Sequence, residues 1–144
     1  MGNRAVIAFD DERKEKENCP AIYLHWNGSA HTVDAFLKAA KEFGIRGNDA
    51  HYCIARLTQV IGNAISGTLS LGVGRYGDFR NPGDNGVYWI KNWEVVRRDI
   101  LANDYYEDAV IDYKHQNYKT WYEEAYAETL QANKDHFEKG AKVQ

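Results

Sequence analysis

Two kinds of residue that would declare a chemistry are scarce in this chain of 144 residues, which holds only two cysteines and five histidines. Cys19 stands in a charged loop before Pro20 and Cys53 inside an apolar helical pattern, so a disulfide framework is not expected. The histidines (His25, His31, His51, His115 and His136) show no paired ligand spacing, although His25 and His31 could converge across a turn, and no metal is expected. No apolar run approaches 18 residues and the start is not charged-then-apolar, so neither a membrane span nor a signal peptide is expected. The expected setting is the cytosol, with reduced thiols.

Motif absences narrow the chemistry further. Gly72-Val73-Gly74 lacks the third glycine of a dinucleotide fingerprint and does not open a helix. There is no P-loop, and none of Ser29, Ser66 or Ser70 sits in a nucleophile elbow. Asp78 and Asp84 are too few for a calcium loop. No cofactor is expected, and the chain carries no complete catalytic signature.

What is present is a globular composition rich in rings: 44% hydrophobic, 27% charged and 13% aromatic, with ten Tyr and four Trp. A chain of this length should bury roughly two-thirds of its unfolded surface around one core. Net charge is −3, but Asp104, Glu107, Asp108, Asp112, Glu123, Glu124 and Glu128 face only Lys114 and Lys119 in one stretch. That acidity does not suggest duplex DNA binding, although Arg97 and Arg98 form a local basic patch.

Periodicity organises the chain. Residues 4–9 (RAVIAF) and 21–26 (AIYLHW) read as strands, joined by DDERKEKENCP, whose five acids and three bases predict a solvated hairpin loop. Val33, Phe36, Leu37, Ala40 and Phe43 recur at helical spacing and Gly44 supplies a stop. A second helix is expected from an Asp49 N-cap through Cys53, Ile54, Leu57, Val60, Ile61 and Ala64, ending before Gly67. Residues 68–73, 87–90 and 93–98 read as three more strands, the last two a tight hairpin turning at Lys91 and Asn92.

The tail is weakly helical over 105–113 and strongly so from Asn117, with Tyr118, Trp121, Tyr122, Ala125 and Tyr126 on one face, Leu130 prolonging it and Gly140 ending it. The expected class is α+β: a mainly antiparallel sheet of about five strands in the order β-β-α-α-β-β-β, covered by helices, with an aromatic helical tail. Residues 1–100 form the α+β core and residues 101–144 a helical extension packed on the same single domain.

Two places could carry function. One is His25-Trp26-Asn27-Gly28 together with Asp84 and Asn85 of the turn-rich segment Asn81-Pro82-Gly83-Asp84-Asn85-Gly86. Aromatic stacking and amide hydrogen bonds there suit a small ligand such as a nucleotide signal, and His25 is the candidate acid or base should the protein be an enzyme. The other is the tail, where Tyr118, Trp121, Tyr122 and Tyr126 are bordered by Glu123, Glu124 and Glu128, the composition of a partner-binding surface.

Asn3-Arg4-Ala5-Val6-Ile7, Ile22-Tyr23-Leu24-His25-Trp26-Asn27-Gly28, the helix with Val33, Ala35, Phe36 and Leu37, Gln59-Val60-Ile61-Gly62-Asn63 and Gly83-Asp84-Asn85-Gly86-Val87-Tyr88 together resemble a family of small proteins from bacteriophages, prophages and other mobile elements. The match spans about residues 3–98, and the tail after Ile100 departs from it. The resemblance carries over no catalytic residue. It implies an accessory protein acting by stoichiometric binding to a host protein or ribonucleoprotein, with inhibition of a host defence complex, as by an anti-CRISPR protein, as the concrete form.

Overall fold

A computed structural model describes residues 2–65, 70–79, 83–100 and 115–143. The expected helical pattern at 105–113, the acids Asp104, Glu107, Asp108 and Asp112, the helix stop at Gly67, the first residues of the 68–73 strand, and Asn81 and Pro82 lie outside the described residues.

The fold is α+β, as the periodicity requires. Strands β1 (Ala5–Phe9), β2 (Pro20–Leu24), β3 (Leu71–Arg75), β4 (Val87–Lys91) and β5 (Glu94–Asp99) form one sheet in the order β3-β2-β1-β4-β5. Neighbours are antiparallel except β1 and β4, which run parallel with Val6 opposite Val87 and Ile7 opposite Tyr88. All five residues of β1 are buried because the strand is central and covered on both faces, which is why it reads as a continuous apolar run.

Helices α1 (Ala30–Glu42), α2 (Ala50–Ala64) and α3 (Tyr118–Val143) supply one cover. Ile7, Phe9, Ile22, Leu24, Tyr88 and Ile90 of the sheet share a core with Val33, Phe36 and Leu37 of α1, Leu57 and Ile61 of α2, and Phe137 of α3. The Asp49 side chain caps α2 by accepting from the Tyr52 amide at 3.2 Å. Among the described residues no helix is long and apolar enough to cross a membrane.

A smaller core lies on the opposite face. Val6, Ala8, Ala21, Val87 and Trp89 pack there with Cys19, Tyr23, Tyr76 and Phe79. Trp89 is 1% exposed, its indole donates to Asp99 Oδ2 at 2.9 Å, and Arg97 and Lys16 lie over the ring. Gly72 and Gly74 of β3 leave room on this side, where the Phe79 ring stacks on Tyr23 at 5.9 Å.

Four expectations are corrected. The β4–β5 turn is at Asn92 and Trp93, both at positive φ (51° and 65°), one residue later than the alternation predicts. Trp93 takes this unfavourable conformation because its indole donates to the Ile45 carbonyl at 2.6 Å and is buried against the α1–α2 loop. The charged loop is not wholly solvated, since Asp11 is buried and accepts from the Arg13 amide and guanidinium at 3.0 and 3.1 Å. Those bonds satisfy the carboxylate and hold it below the usual carboxylate range.

Gly140 does not end α3, which continues to Val143; a helical glycine costs only about 1 kcal/mol relative to alanine, too little to break a docked helix. Finally, β2 stops at Leu24, which places His25 and Trp26 in the bend beyond the strand.

A polar tie docks α3. Asn133, 0% exposed, donates to the Val60 and Thr129 carbonyls at 3.0 and 2.9 Å and accepts from Asn63 at 2.9 Å. Asn133→Ala is expected to cost about 1–3 kcal/mol, because a buried amide site loses its partners. Urea denaturation measures this, and a double-mutant cycle with Asn63→Ala should show coupling of about 0.5 kcal/mol or more.

Candidate functional site

The two turn motifs meet at Asn3 and Arg4, immediately before β1. The Asn3 amide donates to the His25 carbonyl and the Gly28 amide to the Asn3 carbonyl, both at 2.9 Å. A Cβ on Gly28 would lie 2.6 Å from that carbonyl, so the approach demands glycine. The Asn85 side chain donates to Asn3 Oδ1 at 2.6 Å and to the Arg4 carbonyl at 3.1 Å, and Asn3 donates in turn to Ser29 Oγ at 2.8 Å. Arg98 donates to the Asn85 carbonyl at 3.1 Å and lies over the Tyr88 ring, whose hydroxyl donates to the Gly28 carbonyl at 2.7 Å.

These bonds assign the motif residues different surroundings. Asn85 is buried with its side chain engaged inside the protein, and Asp84 pairs with Arg4 at 3.9 Å. His25 Nδ1 and the Tyr23 hydroxyl share a hydrogen bond of 2.9 Å; among the described residues no carboxylate pairs with this imidazole. Trp26, 44% exposed, meets the edge of His25, and Asn27 is exposed at φ 65°.

The aromatic stripe of α3 is half-buried throughout. Tyr118 and Tyr126 pack against the main core, and the Tyr118 hydroxyl donates to Asp34 of α1. Trp121 lies against His31 at 5.3 Å and His115 at 4.4 Å. Tyr122 stacks parallel to Tyr126 at 5.9 Å. Burial, followed by the neighbouring Tyr126 and the carboxylates of Asp34, Glu123 and Glu94, pushes the Tyr122 phenol above its ordinary range. Glu123 pairs with Lys119 at 3.9 Å, whereas Glu124 and Glu128 are exposed and make no ion pair among the described residues.

One cleft joins the two predicted places. A cavity of about 230 Å³ lies between the loop before α1, the end of α2 and the start of α3, lined by Asn27, His31, Phe36, Ile65, Trp121, Glu124 and Glu128. Asn27 from the first motif and Trp121, Glu124 and Glu128 from the tail are thus brought together, while Asp84 and Asn85 do not line it. Nothing in the sequence singles out Ile65 for this cleft; His31, which the sequence offers only as a metal ligand, stands four residues beyond Asn27, and that nearness is its one signal.

Among the described residues there are also larger clefts. One of about 350 Å³ holds Tyr118 and Tyr122 with Asp34, Lys38, Lys41 and Glu94. Another, of about 640 Å³, is lined by Asp11, Arg13, Lys14, Arg46, Asp49 and His51, none of them a predicted site residue. Its helix terminus is already occupied by the Asp49 carboxylate, and Arg13 is spent on Asp11. Among the described residues no three His, Cys, Asp or Glu converge as metal ligands. Comparison with protein-family models, curated proteins and solved structures finds no match.

Proposed function

We propose that this protein acts by stoichiometric binding, with the Asn27–Trp121–Glu124–Glu128 cleft and the neighbouring Trp26 as its contact surface. The observation that supports this reading is the concave site itself: an aromatic wall and an acidic rim, next in the chain to a large exposed ring. Buried tryptophans supply a large share of binding energy at interfaces, and an acidic rim steers towards a basic partner.

The resemblance of residues 3–98 to accessory proteins of mobile elements directs the choice of partner. A host defence ribonucleoprotein is the proposed target, and anti-CRISPR-like inhibition the proposed outcome. Such complexes hold nucleic acid in positively charged channels, which an acidic aromatic surface complements.

Purified protein should co-elute at one to one with an RNA-guided defence complex from a panel and restore phage plaquing in cells that carry it. Trp26→Ala and Glu124→Lys/Glu128→Lys should each weaken that complex by about 30-fold, roughly 2 kcal/mol of hot-spot energy. Failure to bind or protect across the panel, or full activity of both variants, would overturn the proposal.

A further inference from the structure

We infer that the cleft of about 230 Å³ receives one arginine side chain of the partner, an inference that rests on the binding reading above and specifies its chemistry. Glu124 and Glu128 stand one turn apart on α3, and like charges at that spacing destabilise a helix by a few tenths of a kcal/mol. The adjacent Glu123 is compensated by Lys119 at 3.9 Å, but Glu124 and Glu128 have no cation among the described residues. Two carboxylates on the rim of a cavity, without an ion pair among the described residues, are complementary to a cation from outside.

The walls select the kind of cation. Ile65, Ala64 and Ala125 offer apolar surface to an aliphatic stem, Trp121 offers a ring to a planar cation, and the two carboxylates and Asn27 offer oxygen acceptors. Guanidinium combines these needs, because it stacks on aromatic rings and is only weakly hydrated while its fork satisfies carboxylates. An ammonium group is a compact, strongly hydrated point charge and uses the ring less well. Calcium or magnesium would need a convergent set of oxygen ligands, whereas two carboxylates rim this cleft.

The test titrates the full chain at pH 8 with a blocked single-arginine peptide and follows the Trp121 indole N–H by NMR, assigned with Trp121→Phe. The Trp121 signal should move and saturate, while the buried Trp89 and Trp93 indoles stay in place. The matching lysine peptide should bind about tenfold more weakly, and Glu124→Gln/Glu128→Gln should weaken arginine binding by at least about tenfold. Both positions are exposed, so the variant should keep its thermal midpoint; Glu124→Gln alone, with a smaller loss, serves as a second check.

No movement of Trp121, equal response to arginine and lysine, or saturation by magnesium or calcium chloride at lower concentration would overturn the arginine assignment. If the peptide fails while the protein still binds a defence complex, this inference falls and the binding reading stands. If the peptide binds while no defence complex forms, the arginine-accepting cleft stands and the choice of a defence complex as target falls.

Discussion

Gly86→Ala is expected to destabilise the protein by about 4 kcal/mol, against about 1 kcal/mol for Gly44→Ala. Both glycines have positive φ, 73° and 74°, so the left-handed penalty is common to the two. They differ in what surrounds the missing side chain. A Cβ on Gly44 meets nothing within 4 Å, whereas one on Gly86 would lie 2.1 Å from the Asp99 carbonyl oxygen and 3.1 Å from the Ile100 Cα. Those neighbours are backbone, so β5 itself would have to move.

That movement would reach further than one contact. Gly86 accepts from the Val6 amide at 3.0 Å, and Val87 pairs with Asp99 in the sheet. Strain at such a position belongs to the short list of mechanisms that produce large losses. Denaturant midpoints of the two variants decide the matter: equal costs would show that β5 yields freely and that the close approach is not stabilising.

Trp89→Ala should cost about 3–5 kcal/mol, the usual range for deleting a buried aromatic side chain. The residue is 1% exposed and anchors the smaller core, with Tyr76 at 4.9 Å and Arg97 over its face. Trp89→Phe separates ring from hydrogen bond. It retains most of the packing and loses the 2.9 Å bond to Asp99, for an expected cost of about 1–1.5 kcal/mol.

Asp99 is not orphaned by either change, because Arg97 at 3.2 Å and Lys16 at 3.7 Å remain. Far-UV circular dichroism in urea follows the transition, since fluorescence would itself change. A loss below about 1.5 kcal/mol for Trp89→Ala would mean that the face opposite the helices contributes little, and that the helical side alone sustains the fold.

Much of this architecture is legible in the residues. The 3.6-residue spacing of Val33, Phe36, Leu37 and Ala40 and the Asp49 cap define α1 and α2, and continuous apolar runs mark β1 and β4. These are local signals. The parallel pairing of β1 with β4 is not local, and no spacing rule within either strand announces it.

Trp93 shows how tertiary contact overrides a local preference. Alternation places it in β5, yet the Ile45 carbonyl draws its indole into the turn. Asp11 likewise looks solvated until Arg13 folds back on it. The candidate cleft draws on Asn27, His31, Ile65 and Trp121 from separate segments, so each residue could be suspected singly but their meeting could not. Half-burial of the Tyr and Trp stripe was equally illegible, because helical spacing reports which face a ring lies on and not how deeply that face is covered.

The parallel β1–β4 pair also orders events during synthesis. β1 emerges before the strands it pairs with, but one of its two hydrogen-bonded neighbours is made only after both α1 and α2, and the Asn85–Arg4 tie that locks the junction spans 81 residues. A nascent chain can form the β1–β2 hairpin and nucleate α1 locally, while the far side of β1 stays an open edge until β4 arrives. The strand destined for the middle of the sheet is therefore the one exposed longest, and a ribosome-bound chain halted before Val87 would present a sticky edge that the finished protein conceals.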